Sequence, residues 1–112
     1  MDTEIGAKFS QAAAYVQGAM TTGISISQSD QLDFYGLYKQ ATCRSRDDFK
    51  HLGKPAFWQF TATRKYWAWE RYSHISKYEA LVKYVKKCKI VFPEWQFDPK
   101  GLLLKINLIF KK

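Results

Sequence analysis

The chain has little of the residues that mark many functional classes. Of its 112 residues two are cysteine, two histidine, three proline and six glycine. Cys43 and Cys88 with no secretory leader do not make a disulfide framework; they read as free thiols of a reducing compartment, so a cytoplasmic protein is expected. The N-terminus, Met1-Asp2-Thr3-Glu4, is acidic and lacks the basic region of a signal or transit peptide. No apolar run reaches bilayer-spanning length. A glycine-rich phosphate loop and a nucleophile elbow are both missing. His51 and His74 have no neighbours at zinc-ligand spacing, so no metal is expected. Cys43 and His51 offer a thiol and a base but no third group to orient them, so no catalytic residue and no enzyme activity are expected.

What is present points to a folded, basic domain. Apolar residues make up 46% and aromatic residues 17%, which argues against disorder, and the length suits one domain with a modest core. The net charge of +8 is uneven. Residues 1–34 set Lys8 against Asp2, Glu4, Asp30 and Asp33, a net of −3; residues 64–89 set eight Lys or Arg against Glu70 and Glu79, a net of +6. The basic half implies an anionic partner: a nucleic acid, lipid headgroups or a polyanionic small molecule.

The chain reads as four helices, without internal repeats or low-complexity tracts. Phe9, Ala12, Ala13, Val16 and Met20 recur at helical spacing and predict a first helix over about 4–20. Gly23 and Ser25-Ile26-Ser27-Gln28-Ser29 break it. Ser27 or Ser29 is the expected N-cap of a second helix over about 29–44, with Asp30 at its positive end. Leu32, Tyr35, Tyr38, Lys39 and Thr42 lie along one face of that helix. A long loop over 45–60 follows, where Phe49, Phe57, Trp58 and Phe60 predict packing. A third helix is predicted over about 61–73. Ser76-x-x-Glu79 is a capping box opening a fourth helix to about 92, which should bury Leu81, Tyr84, Val85 and Cys88 and expose Lys83, Lys86, Lys87 and Lys89. Pro93 ends it. The domain is expected over 1–92, with a C-terminal extension over 93–112. Within the extension, 101–112 is apolar with basic punctuation and could dock on the bundle or touch a membrane.

Tyr35, Tyr38 and Lys39 stand at i, i+3 and i+4 and so share a helix face. Two phenol rings beside an ammonium can stack on a flat base and hold a phosphate. Taken alone, each tyrosine reads as well as core and each lysine as solvated surface. The stretch Tyr35-Gly36-Leu37-Tyr38-Lys39-Gln40-Ala41-Thr42 resembles the acyl-CoA-binding protein family, whose second helix carries Tyr-x-x-Tyr-Lys-Gln-Ala-Thr. Lys65-Tyr66-Trp67-Ala68-Trp69 resembles that family's Lys-Trp-x-Ala-Trp. Ser76-Lys77-Tyr78-Glu79-Ala80-Leu81 with Lys83-Tyr84-Val85 resembles its Ser-Lys-x-x-Ala segment and following tyrosine. Phe9-x-x-Ala12-Ala13-x-x-Val16 is similar to its opening helix, and Lys54-Pro55 and Phe60 to its long loop. The motifs occur in order across roughly residues 5 to 92.

The resemblance implies an all-α, four-helix bundle of up-down-down-up arrangement. It implies a non-catalytic, monomeric binder that buffers and transports medium- to long-chain acyl-CoA esters inside the cell, with acyl-CoA-using enzymes as candidate partners, no nucleic acid and no cofactor. It assigns ligand binding to Tyr35, Gly36, Leu37, Tyr38, Lys39, Lys65 and Tyr84. Lys39 and Lys65 would hold the 3′-phosphate and the tyrosines would surround the nucleotide. Ala13, Val16, Gln17 and Leu32 would line the acyl groove, and Trp69 would be structural. The chain departs from the family at Gln17, where a basic residue is common, and at Asp33, where an apolar residue is common; its loops before the second and third helices are longer. Two rivals are a single-stranded nucleic acid held on Lys83, Lys86, Lys87 and Lys89, and a membrane-surface adaptor using 101–112.

Overall fold

The computed structural model describes residues 3–42 and 61–97. The packing expected of Phe49, Phe57, Trp58 and Phe60, the Cys43 and His51 pair, and the role of 101–112 lie outside those residues. The described residues form four α-helices: α1, Thr3–Thr21; α2, Gln28–Thr42; α3, Ala62–Tyr72; and α4, Lys77–Val91. A 3₁₀ turn, Pro93–Gln96, follows α4. The described residues contain no strand.

Local chemistry sets the helix ends. At the end of α1, Gly23 takes φ 82°, a left-handed conformation that costs glycine least. This lets Ile24 N–H donate to the Ala19 carbonyl (3.0 Å) and Gly23 N–H to that of Met20 (3.3 Å), closing the helix with a Schellman motif. Of the two serines that could cap α2, Ser27 does so, its hydroxyl accepting from Asp30 N–H at 3.1 Å. Thr61 caps α3 through Arg64 N–H at 3.2 Å. Ser76 caps α4 through Glu79 N–H at 3.0 Å. The Glu79 carboxylate, expected to complete a capping box, instead lies 3.8 Å from the Lys83 ammonium.

Ring contacts give the topology. Phe9 and Tyr15 of α1 meet Tyr84 (5.0 Å between centroids) and Phe92 (5.5 Å) in that order, so α1 and α4 run parallel. Along α4, Tyr84 meets Phe34 and Tyr38 of α2, while Lys87 meets Asp30, so α2 runs antiparallel to α4. Gln28 bonds Arg64, and Gln40 bonds Trp69 and the Ile75 carbonyl, so α2 and α3 run parallel. The result is the up-down-down-up bundle that the family resemblance implied.

The core contains Phe9, Ala12, Val16, Phe34, Leu37, Ala80, Tyr84, Val85 and Cys88. Phe92 and Trp95 are also buried, so the start of segment 93–112 belongs to the core. Leu81, expected buried, is only partly so and packs against the core's edge. Lys87 corrects the expectation of a fully exposed lysine row. It is half-buried, with its ammonium 2.7 Å from Asp30 Oδ1 and 3.4 Å from Asp33 Oδ2. Asp33 also accepts from Arg71 (2.8 Å) and the Tyr72 hydroxyl (2.9 Å). The carboxylate that departs from the family's apolar choice therefore ties α2 to both α3 and α4. Burial, then the hydrogen bond to Asp33 and the charge of that carboxylate, pushes the Tyr72 hydroxyl up to about 12.

Candidate functional site

Helix α2 presents Tyr35 and Lys39 one turn apart, and α3 brings Lys65 to the same ring. The Lys39 ammonium lies 5.6 Å from the Tyr35 ring centroid and that of Lys65 lies 5.8 Å from it. Both distances are within cation–π range. Tyr35 is 3% exposed, Lys39 6% and Lys65 3%, so this is a buried cationic site rather than a solvated lysine face.

Two features hold α2 and α3 close enough for this. Gly36 packs directly on the backbone of Ala68, where a Cβ would come 2.2 Å from the Ala68 carbonyl oxygen. Trp69, fully buried, donates its indole N–H to Gln40 Oε1 at 3.0 Å, and Gln40 Nε2 donates to the Ile75 carbonyl at 2.7 Å. Trp69 thus sits in the α2–α3 contact, and Gln40 is the residue that seats it.

Beside this cluster lies an aromatic group. Tyr38 is half-buried and stacks on Phe9 at 5.8 Å; Tyr84 sits edge-on to Phe9 at 5.0 Å and tilted to Tyr38 at 6.5 Å. Burial, then Cys88 and Tyr38, pushes the Tyr84 hydroxyl well above its ordinary value, so it is a neutral hydrogen-bonding group at any physiological pH. Phe9 joins both tyrosines and is absent from the sequence-derived site. Its helical spacing made it look like core alone, and no local pattern says which rings it meets.

The other residues expected at the site divide by position. Leu37 is buried in the core and Gly36 is at the α2–α3 contact. Val16 is fully buried, Ala13 and Leu32 are half-buried, and Gln17 is exposed on α1. Two cations could replace the basic residue missing at position 17. Lys8 lies 3.5 Å from Glu4, and Arg64 donates to Gln28 at 3.1 Å; both are exposed. Cys88 is buried, and burial with the nearby Glu94 pushes its thiol to about 12, far from a reactive thiolate. Among the described residues no cluster of His, Cys, Asp or Glu could hold a metal.

The arrangement can bind a polyanion carrying a flat ring. Two buried ammoniums lie within cation–π range of one tyrosine ring. Comparison with known proteins agrees. The family described as "Acyl CoA binding protein" matches residues 6–88. The chain is 32% identical over 96 residues to "Acyl-CoA-binding domain-containing protein 4" of Oryza sativa subsp. japonica, covering 83% of this chain and 26% of that protein. It is 33% identical over 98 residues to "Acyl-CoA-binding domain-containing protein 1" of Arabidopsis thaliana, covering 83% and 27%. It is 34% identical over 80 residues to "Acyl-CoA-binding domain-containing protein 2" of Oryza sativa subsp. japonica, covering 71% and 84%. The chain thus spans about a quarter of the length of the first two. No solved structure matches it at a significant level. With the family matched across all four helices, and the bundle built as that family's fold requires, the chain belongs to the acyl-CoA-binding protein family.

Proposed function

We propose that this chain binds acyl-CoA esters reversibly and without catalysis, and that the convergence of Lys39 and Lys65 on Tyr35 is the head-group site. That convergence carries the reading. A phosphate brought to the two ammoniums would gain a charge-assisted hydrogen bond from each. Because the lysines are already desolvated and held against one ring, little of the binding free energy goes into ordering them. The 3′-phosphate of the ribose is the group that fits. Tyr35, Tyr38 and Tyr84 supply rings and hydroxyls for the adenine and ribose. The acyl chain follows the α1 side, along Ala13, Val16 and Leu32, at roughly 0.8 kcal/mol per buried methylene, while Gln17 stands nearer the head group.

Such a binder keeps an amphiphile out of membranes and passes it to acyl-CoA-using enzymes, acting as a monomer in the cytoplasm. The test is calorimetry with acyl-CoA esters of graded chain length, each paired with its dephospho-CoA counterpart lacking the 3′-phosphate. Affinity should rise with chain length and fall for every dephospho ligand. Equal affinity for the two series would remove Lys39 and Lys65 from the phosphate.

A further inference from the structure

The outer face of α4 carries none of the residues assigned above to acyl-CoA binding. Lys83, Lys86 and Ile90 stand at i, i+3 and i+7 and form one stripe opposite the buried Tyr84, with Lys89 at its flank. Lys83, Lys86 and Lys89 are exposed. Ile90 is 77% exposed, and Phe97, just past the 3₁₀ turn, is 89% exposed. They are the two most exposed large apolar side chains of the described residues, and both stand at the C-terminal end of α4. The carboxylates nearby are Glu79, already 3.8 Å from Lys83, and the exposed Glu94.

Leaving Ile90 in water on a face with three ammoniums, and Phe97 in water a short way past the helix end, has a physical counterpart in the membrane interface. Lysine ammoniums stay at headgroup level on their long stems, while an aliphatic and an aromatic side chain enter the acyl boundary. We propose that the α4 face formed by Lys83, Lys86, Lys89 and Ile90, together with Phe97, docks this protein on an anionic lipid surface. Charge complementarity selects anionic over neutral lipid. A nucleic-acid strand fits less well. Successive stacking rings are what hold single-stranded bases, the α4 stripe offers none and Phe97 supplies a single ring, and Lys87 is turned away from the stripe into its pairs with Asp30 and Asp33. The docking face is independent of acyl-CoA binding, because it lies on the opposite side of α4 from Tyr84.

The experiment is vesicle flotation of the full chain, without acyl-CoA, on phosphatidylcholine alone and on phosphatidylcholine with phosphatidylserine. The parent should float with the phosphatidylserine vesicles only. Each lysine near such a surface contributes about fivefold, so K83Q/K86Q/K89Q should lower partitioning about a hundredfold. I90S/F97S should lower it at low and high salt alike, since its part is apolar. Both variants should keep the parent's melting temperature and its acyl-CoA affinity by calorimetry. A parent that stays with the unbound protein overturns the proposal. Lysine variants that float like the parent overturn it too, handing any contact to 101–112. An oligonucleotide pool bound more tightly than the vesicles, and released by the same lysine changes, would make this a nucleic-acid face. A melting temperature lowered by I90S/F97S would show that the chain itself covers these side chains.

Discussion

Gly36→Ala probes the contact on which the candidate site depends. An added Cβ would meet the Ala68 carbonyl oxygen at 2.2 Å, its carbon at 2.8 Å and Tyr72 Cδ2 at 2.9 Å. The first two are backbone atoms of a helix and cannot rotate aside. To restore ordinary contact, α2 and α3 must part by about 1 Å locally. Overpacking of this kind destabilises by about 1–3 kcal/mol, and alanine's better helix propensity returns at most about 1 kcal/mol. A net loss of about 1–2 kcal/mol is expected, lowering the melting temperature by about 4–8 °C per kcal/mol in a small domain. Affinity should fall as well, because Tyr35 adjoins Gly36 and Lys65 lies one turn from Ala68, so parting the helices moves Lys65 off the ring. Gly6→Ala is the control: a Cβ there meets nothing within 4 Å, so only the propensity gain remains and stability should rise slightly. Urea unfolding followed by circular dichroism, with calorimetry on an acyl-CoA, reads both. A Gly36→Ala variant as stable as the Gly6→Ala variant would refute the close approach of α2 and α3.

Other changes test separate parts of the account. Trp69→Ala should cost about 3–5 kcal/mol of stability, as for other buried aromatics, and it strands Gln40; a variant that melts like the parent yet fails to bind would move Trp69 to the ligand. Lys39→Ala should leave the helical signal intact while weakening acyl-CoA binding by about 1.5–3 kcal/mol, the worth of a charge-assisted bond; unchanged affinity by calorimetry would discard Lys39. The hydrogen bond from Lys87 holds the Asp30 carboxyl below its ordinary 3.8, so the folded chain takes up that proton less readily than the unfolded one. Its stabilisation is present above the unfolded value and is lost as pH falls through the folded one. Lys87→Met should flatten the acid limb of the melting temperature against pH, and an unchanged limb would deny the coupling. Gln17→Lys should strengthen binding by a similar factor at every acyl length, with a gain that shrinks as salt rises because position 17 is exposed. A gain limited to one chain length would place Gln17 in the acyl groove instead.

Much of this molecule is written locally. The spacing of Phe9, Ala12 and Val16 makes α1 amphipathic, and the Ser76 hydroxyl caps α4 by accepting from the Glu79 N–H three residues on. Tyr35 and Lys39 must share a face because 3.6 residues make a turn. Such relations involve a few neighbouring residues and survive any packing, so the helices and half of the cationic cluster could be read from the order of residues. The tertiary structure decided what joins residues far apart. Lys65 reaches Tyr35 only because Gly36 lets α3 lie on α2. Lys87 looked like one more lysine in an exposed row, yet it turns to Asp30 and Asp33, fifty-seven and fifty-four residues away. Burial of Lys39 and Lys65 could not be read either, since sequence alone favours a solvated lysine. Desolvating an ammonium is unfavourable for a lone residue and becomes tolerable only where rings and polar groups from other elements surround it.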